Sequence, residues 1–319
     1  MSTYLQQKIF TWKGKEMKSL TEKLMQYITD SPTAYHAVAE LKEKMQLKGY
    51  TQLREADEWK LQPGGKYFVI RNDSSLIAFR TPETWRGGFM ITACHSDSPM
   101  FKVKENPERK SLGYYTKLAV EPYGGLILST WLDRPLGLAG RVLLEQGNQI
   151  CVKLVDFKQD MLIIPNLAIH MNREINNGYV YKNHVDMLPL WSAGEEDKQL
   201  KAIVAKELGA KPEQVVSMDL FVYNRTKPTA WGEGKFLSAP RLDDLECAYV
   251  AWEAFMQAMP ADNIPVYCLL DNEEVGSSTR QGACSTFLRD TLMRINGCFD
   301  NGKESFHQQI AKSFFGVCR

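Results

Sequence analysis

Two adjacent glutamates, Glu273 and Glu274, are candidates for chemistry because they follow an apolar run. Residues 264–270 read Ile-Pro-Val-Tyr-Cys-Leu-Leu, which is typical of a buried strand. Carboxylates at the end of a buried strand are costly to desolvate unless a positive charge meets them. A metal ion supplies such a charge, and then one carboxylate can be a ligand while its neighbour accepts a proton from an attacking water. A solvated loop with two acids is the alternative interpretation of these residues alone.

Two more groups of polar residues lie at the edges of apolar elements. His95 ends the apolar run 88–94, and Asp97 follows two residues later. Sheets of α/β proteins hold their ligand sites at such carboxyl ends of strands; a loop histidine with ordinary hydrogen bonds is the alternative. Asp243 and Asp244 directly precede an apolar-periodic helix, where a carboxylate could cap the helix or bridge two metal ions. Taken together, the three groups match the needs of a two-metal hydrolase.

The elements that must position these side chains follow from the spacing of apolar residues. Helical spacing predicts helices, and short apolar runs bounded by turn residues predict strands. The predicted helices are 17–29, 34–48, 199–208, 245–259 and 287–295, and the predicted strands are 67–70, 75–79, 88–94, 118–120, 126–130, 140–144, 150–155, 216–222 and 264–270. This order predicts an α/β domain that is interrupted by a strand-rich insertion.

Composition argues against several classes of function. Of the 319 residues, 44% are hydrophobic and 24% are charged, as in ordinary globular proteins, and the formal net charge is +1. Such a charge gives no electrostatic reason to expect nucleic acid or an anionic membrane as a partner. The seven cysteines are scattered and never form a CxxC pair, and the first residues lack the pattern of a secretory signal. We therefore expect a cytoplasmic protein with free thiols.

Six ordered segments of the sequence resemble the M18 family of metallo-aminopeptidases, of the aspartyl aminopeptidase type. The resemblance covers about residues 20–313 and is carried by SPTAYHAV at 31–38, HSDSP at 95–99, the run from Gly124-Gly125 to TWLDRPLGLAGR at 130–141, IPNLAIH at 164–170, APRLDDL at 239–245 and DNEEVGS at 271–277. It implies a zinc-exopeptidase-type mixed sheet flanked by helices. The implied catalytic domain is discontinuous, at residues 1–100 and 238–319, and residues 101–237 are the implied dimerisation domain.

The resemblance also implies a metal site with two zinc ions. His95 would bind one zinc, Glu274 would bind the other, and Asp243 would bridge both. It further implies a cis peptide bond between Asp243 and Asp244, at a position where the family more often has Asn after the bridging aspartate. Because the ligands are a mixture of nitrogen and oxygen atoms, cobalt or manganese could replace zinc.

The implied activity is the removal of N-terminal residues, often acidic ones, from peptides. Glu273 would be the general base, and Asp97 would orient the His95 side of the site. His170 would reach into the active site of a neighbouring subunit, in a homo-oligomer that ranges from a dimer to a dodecamer.

The chain departs from the family pattern near its end. Two zinc ions need about five or six protein ligands, and the sequence offers three. The resemblance stops after Ser313, and the tail 315–319 does not match the family's continuation, which supplies the missing ligands. We therefore expect a truncated chain with an incomplete catalytic domain and little or no activity. Residues 1–16 precede the matched region as an unexplained extension.

Two other functions stay open at this point. A non-catalytic truncated paralogue could act only through subunit assembly. A different dizinc exopeptidase or deacylase could share the metal chemistry, but the segments 131–141 and 164–170 are particular to the M18 family.

Overall fold

The computed structural model describes residues 20–194, 199–259, 261–299 and 302–318. These residues form two compact units. The first contains the described residues up to Ser96, then Lys227–Glu273, then those from Ser277 onward; the second contains Asp97–Thr226 and Glu274–Gly276. The predicted helix at 17–29 is seen from residue 20 to residue 30. Its first three positions lie outside the described residues, as do the extension 1–16 and the last tail residue, Arg319.

A six-stranded mixed sheet organises the first unit. Its strands, numbered in chain order, are β1 (Thr51–Leu53), β2 (Lys66–Arg71), β3 (Ser75–Arg80), β4 (Phe89–His95), β13 (Ile264–Leu270) and β14 (Phe314–Val317), and they lie in the order β1-β2-β3-β13-β4-β14. Strand β13 is antiparallel to β3 and parallel to β4, and β14 is parallel to β4. In this register Leu270 lies opposite His95, so the segments that follow both strands leave the sheet side by side.

Helices cover both faces of this sheet. The helix at residues 20–30 (α1), α2 (Ala34–Leu47) and α4 (Leu242–Gln257) share a core with Tyr267 and Leu269 of β13. Helices α5 (Phe287–Cys298) and α6 (Lys303–Ala311) share the opposite core with Val266, Cys268 and Leu270. A strand that is buried on both faces needs apolar side chains in succession. This requirement explains the unbroken apolar run at 264–270, and the predicted bounds of β13 are confirmed.

The second unit is built on a six-stranded antiparallel sheet. Its strands are β5 (Met100–Ser111), β6 (Tyr115–Tyr123), β7 (Leu136–Gln146), β8 (Gln149–Asp156), β9 (Leu190–Ala193) and β10 (Val215–Asn224), in the order β8-β7-β10-β5-β6-β9. Helix α3 (Leu200–Glu207) packs Leu200 and Val204 into the core of this sheet. A separate two-stranded ribbon, β11 (Thr229–Trp231) with β12 (Phe236–Ser238), belongs to the first unit. The α/β fold with a strand-rich insertion is thus confirmed.

One predicted strand is wrong. Residues 126–130 contain a 3-10 turn, Leu128–Trp131, instead of a strand. The backbone N–H and the hydroxyl of Thr130 both donate to the carbonyl oxygen of Ile127, at 3.1 and 2.7 Å, and these bonds close the turn. Ile127 itself is 72% exposed, so its apolar side chain does not mark a buried strand.

Among the helices in the described part of the chain, none combines the length and the apolar character that crossing a lipid bilayer requires.

Candidate metal centre

The first part of the site lies where strand β4 ends and helix α4 begins. His95 is the last residue of β4 and is 7% exposed. Its Nε2 atom lies 3.2 Å from Oδ1 of Asp243, whose side chain is 78% exposed. Asp243 and Asp244 have non-helical backbone angles within the first turn of α4, and the peptide bond between them is cis, as predicted. The Asp243 carboxylate thus lies beside the His95 imidazole at the start of α4.

Asp244 holds the backbone of His95. Its side chain is almost fully buried, and its Oδ2 accepts a hydrogen bond of 2.9 Å from the His95 backbone N–H. On the same edge of β4, which faces β14, the backbone N–H of Cys318 donates to the Ala93 carbonyl oxygen at 3.0 Å. Burial raises the pKa of the Asp244 carboxyl, and the hydrogen bond from His95 opposes that rise. Either a carboxylate or an amide oxygen can accept this bond, so Asp244 can take the position where the family more often has Asn.

The two glutamates follow β13 on a short turn. The backbone N–H of Asp271 donates to the Ser75 hydroxyl at 2.9 Å, Asn272 adopts a left-handed backbone with φ of 65°, and Glu273–Val275 then form one 3-10 turn. This abrupt change of direction ends the strand. Beyond the strand, Glu273 lines a cavity together with His95, whereas Glu274 offers a ligand atom close to those of His95 and Asp243.

Three of the predicted site residues lie together. Among the described residues, His95, Asp243 and Glu274 each offer one ligand atom, and these three atoms all lie within 4.8 Å of one another. The set consists of one imidazole nitrogen and two carboxylate oxygens, which are ligand types that zinc accepts. The structure therefore brings together the three residues that the sequence analysis predicted as metal ligands.

A cavity of about 220 Å³ opens at the carboxyl ends of β4 and β13. His95 and Glu273 both line it, so the predicted general base faces the same space as a predicted ligand. Apolar side chains of Leu270, Phe315 and Val317 form much of the remaining wall. The last two belong to β14, whose contribution to this cavity was not foreseen because the tail carried no recognisable motif.

Asp97 is the first residue of the second unit and has its hydrogen-bond partners within that unit. Its side chain is 3% exposed, and its Oδ2 accepts bonds from the Tyr123 hydroxyl at 2.7 Å and from the Glu274 backbone N–H at 3.2 Å. The sequence analysis predicted that Asp97 orients the His95 side of the site, and this role stays a prediction. Tyr123 was not predicted as a site residue, since a tyrosine at the end of a strand carries no motif of its own.

His170 is not a member of the three-residue group. It lies on an exposed turn of the second unit, which a 2.8 Å hydrogen bond from the Met171 N–H to the Ala168 carbonyl oxygen closes. Its predicted role in a neighbouring subunit stays a prediction.

Comparison with known proteins assigns the chain to a family. The family model described as aminopeptidase I zinc metalloprotease (M18) matches residues 27–316. The chain belongs to the M18 family of aminopeptidases. It is 41% identical over 309 residues to a probable M18 family aminopeptidase 2 of Clostridium acetobutylicum, and the match covers 94% of this chain and 71% of that relative. A relative from Clostridium novyi, 42% identical over 310 residues, is likewise described as a probable M18 family aminopeptidase 2.

Two solved M18-type structures share the fold. The first belongs to a cryo-EM structure of the Ape4 and Nbr1 complex; it has a TM-score of 0.86 and 32% identity, over 93% of this chain and 62% of that chain. The second is the Saccharomyces cerevisiae mApe1 dodecamer, with a TM-score of 0.80 and 29% identity, over 94% of this chain and 71% of that chain. The chain thus spans less than two thirds of the first of these structures.

Proposed function

We propose that the chain removes N-terminal residues from peptides with the help of a divalent cation, zinc by the family's description, held by His95, Asp243 and Glu274. The convergence of their three ligand atoms within 4.8 Å carries this proposal. It occurs in a chain whose family is described as zinc metalloproteases.

The donor set fits one cation. Three protein ligands with a remaining open position are the usual arrangement at catalytic zinc. Nitrogen and oxygen donors also accept cobalt or manganese, so the family's description, and not the donor set, favours zinc. The two zinc ions that the resemblance implies would require about five or six ligands, and this group of described residues supplies three.

The chain's own residues supply the remaining chemistry. A cation at this group would polarise the scissile carbonyl and make a water molecule easier to deprotonate. The Glu273 carboxylate, which faces the cavity beside His95, accepts the proton of the attacking water and returns it to the leaving amine. Asp244 keeps the His95 backbone in place through the 2.9 Å hydrogen bond.

The cavity gives little support for an acidic N-terminal residue in the substrate. Its lining includes the carboxylates of Asp271 and Glu273, and no lysine or arginine is among the described residues that form it. An acidic side chain placed there would meet like charges. The proposed activity is therefore that of a general aminopeptidase. Among the described residues of the cavity lining, no cationic side chain is present to bind an acidic substrate residue.

Assembly and location form the last part of the proposal. We infer a homo-oligomer, as in the mApe1 dodecamer, with residues 101–237 as the dimerisation domain and His170 extending to a neighbouring subunit. The exposure of the turn that carries His170 supports this role. All seven cysteines are free, which supports a reducing, cytoplasmic location.

Two substitutions test the proposed chemistry. Glu273→Gln removes the proton acceptor but leaves the three ligands, so zinc content should stay at the wild-type value while turnover of an aminoacyl p-nitroanilide falls by roughly a hundredfold or more. Asp243→Asn weakens a ligand, so both zinc content and turnover should fall. Elemental analysis of the purified chain measures the zinc, with an expected content nearer one ion per chain than two.

The exposed His184 provides the control, because His184→Gln changes a histidine that lies outside the group. Wild-type turnover in Glu273→Gln would reject its role as the base. A wild-type chain that assembles but shows no chelator-sensitive turnover would reject the proposed activity and favour the non-catalytic alternative.

A further inference from the structure

The end of strand β6 carries a hydrogen-bond chain that leads to Glu274. Tyr123, the last residue of β6, donates its hydroxyl proton to Oδ2 of Asp97 over 2.7 Å. The same oxygen accepts the backbone N–H of Glu274 at 3.2 Å. Because Asp97 is only 3% exposed, its carboxylate depends on such donors for stabilisation. Hydrogen bonds to a buried carboxylate are stronger than those between neutral groups. The two hydrogen bonds to Asp97 therefore restrain the Glu274 backbone effectively.

The next residue, Gly124, restrains the Glu274 side chain. Gly124 has a φ of 77°, and a Cβ atom built on it would lie 2.9 Å from both Cβ and Oε2 of Glu274. Only glycine permits such a close approach with this backbone conformation at low cost. The glutamate is thus held at its backbone N–H through Asp97 and is bordered along its side chain by Gly124.

The Tyr123 ring is itself held in place. It contacts Phe221 of β10 edge to face, with ring centroids 5.5 Å apart and an angle of 83° between the planes. This arrangement is favourable for aromatic pairs. The sheet of the second unit therefore fixes the ring, the ring fixes the hydroxyl, and the hydroxyl bonds Asp97.

We propose that the Tyr123-Gly124 end of β6 positions Glu274 for metal binding, Tyr123 through its hydrogen bond to Asp97 and Gly124 by its close approach to the glutamate side chain. This inference rests on the proposed function, because it takes Glu274 as a metal ligand. Tyr123 does not itself bind the cation, so it is a positioning residue. Loss of such an outer hydrogen bond typically weakens metal binding by about 10- to 100-fold.

A purely structural role makes a different prediction. If Tyr123 only satisfies a buried carboxylate, its hydroxyl stabilises the metal-free fold and leaves the metal affinity unchanged. If it positions Glu274, the affinity itself depends on the hydroxyl. Zinc affinity and the melting temperature of the metal-free chain therefore separate the two roles.

Tyr123→Phe is the direct test, because it removes the hydroxyl and keeps the ring against Phe221. The control is Tyr115→Phe, the same change on a tyrosine of β6 that is 38% exposed. The zinc dissociation constant of the full chain is measured by competition with a chromophoric chelator. We expect a rise of about tenfold or more in Tyr123→Phe and no change in Tyr115→Phe.

Gly124→Ala tests the same inference independently, and it replaces the first test if the Tyr123→Phe variant does not fold. Its methyl group would displace the Glu274 side chain, so zinc affinity should again fall. Gly113→Ala is its control, since Gly113 has a φ of 70° but no atom within 4 Å of an added Cβ.

The outcomes are distinct. Wild-type zinc affinity in Tyr123→Phe, or in Gly124→Ala when the first variant does not fold, overturns the positioning role and leaves the proposed function intact. A wild-type chain that binds no zinc overturns both.

Discussion

At the scale of single residues, Asp219 shows how charge stabilises the second unit. Asp219 on β10 lies opposite Arg141 on β7; its Oδ2 is 2.7 Å from Nη2 of Arg141, and its Oδ1 is 3.3 Å from Nζ of Lys102. Burial alone would raise the pKa of the Asp219 carboxyl, but the two cations outweigh burial and lower it. A carboxyl whose pKa is lower in the folded state stabilises the fold above its unfolded pKa, and this stabilisation is lost as the pH falls through the folded value.

Asp219→Asn should therefore lower the free energy of unfolding at neutral pH by about 1 kcal/mol. The difference from the wild-type chain should shrink as the pH falls below about 4, the usual pKa of an aspartate. Urea denaturation across this pH range measures both effects. The control is Glu145→Gln, which removes a carboxylate from an exposed position of β7. A penalty that stays constant at acid pH would contradict the ionic explanation.

The site residues were predictable where their type and order formed a motif. His95, Asp243 and Glu274 each stand at the end or start of an apolar element. The resemblance to the M18 family implied that these three residues are ligands of one metal site. Tyr123 could not be found in this way. Its relevance depends on a hydrogen bond to a residue 26 positions away, which only the fold of the second unit creates.

At the scale of elements, burial on both faces made strands easy to predict. The run at 264–270 is apolar because helices cover both sides of β13, and the predicted bounds match the structure. The run at 126–130 begins with three apolar residues, but Ile127 is exposed and Thr130 closes a turn. Apolar character indicates burial or contact and does not by itself fix the backbone conformation.

Close strand contact in the second unit depends on a glycine. Gly140 of β7 lies opposite Leu220 of β10, and a Cβ atom built on it would lie 2.0 Å from the Asp219 carbonyl oxygen. Because that atom belongs to the backbone of a central strand, it cannot move aside without disturbing the ladder. Gly140→Ala should therefore destabilise the chain by about 1–3 kcal/mol, as overpacking does, which thermal unfolding can measure.

Gly147→Ala is the matched control for this change. Gly147 has a φ of 62°, but an added Cβ would have no neighbour within 4 Å. Gly147→Ala should therefore lower the stability only by the cost of placing alanine in a left-handed backbone conformation. Equal melting temperatures for the two variants would show that the β7–β10 contact tolerates a methyl group.

At the scale of the whole molecule, the proposed assembly makes catalysis depend on two chains. If His170 acts in a neighbouring subunit, a chain with Glu273→Gln still offers an intact His170, and a chain with His170→Ala still offers an intact Glu273. Each variant alone should have low turnover. In a mixed dimer, the site with the intact Glu273 would receive the intact His170 from its partner.

Mixing the two purified variants after dissociation and reassembly should therefore restore turnover, to about a quarter of the wild-type value for random pairing into dimers with one restored site in each mixed pair. Native mass spectrometry of differently tagged chains measures the mixed species, and the aminoacyl p-nitroanilide assay measures the turnover. Each variant reassembled alone is the control. Mixed assemblies without recovered turnover would show that His170 does not serve a neighbouring site, because both intact residues would then be present in the same particle and still fail to cooperate.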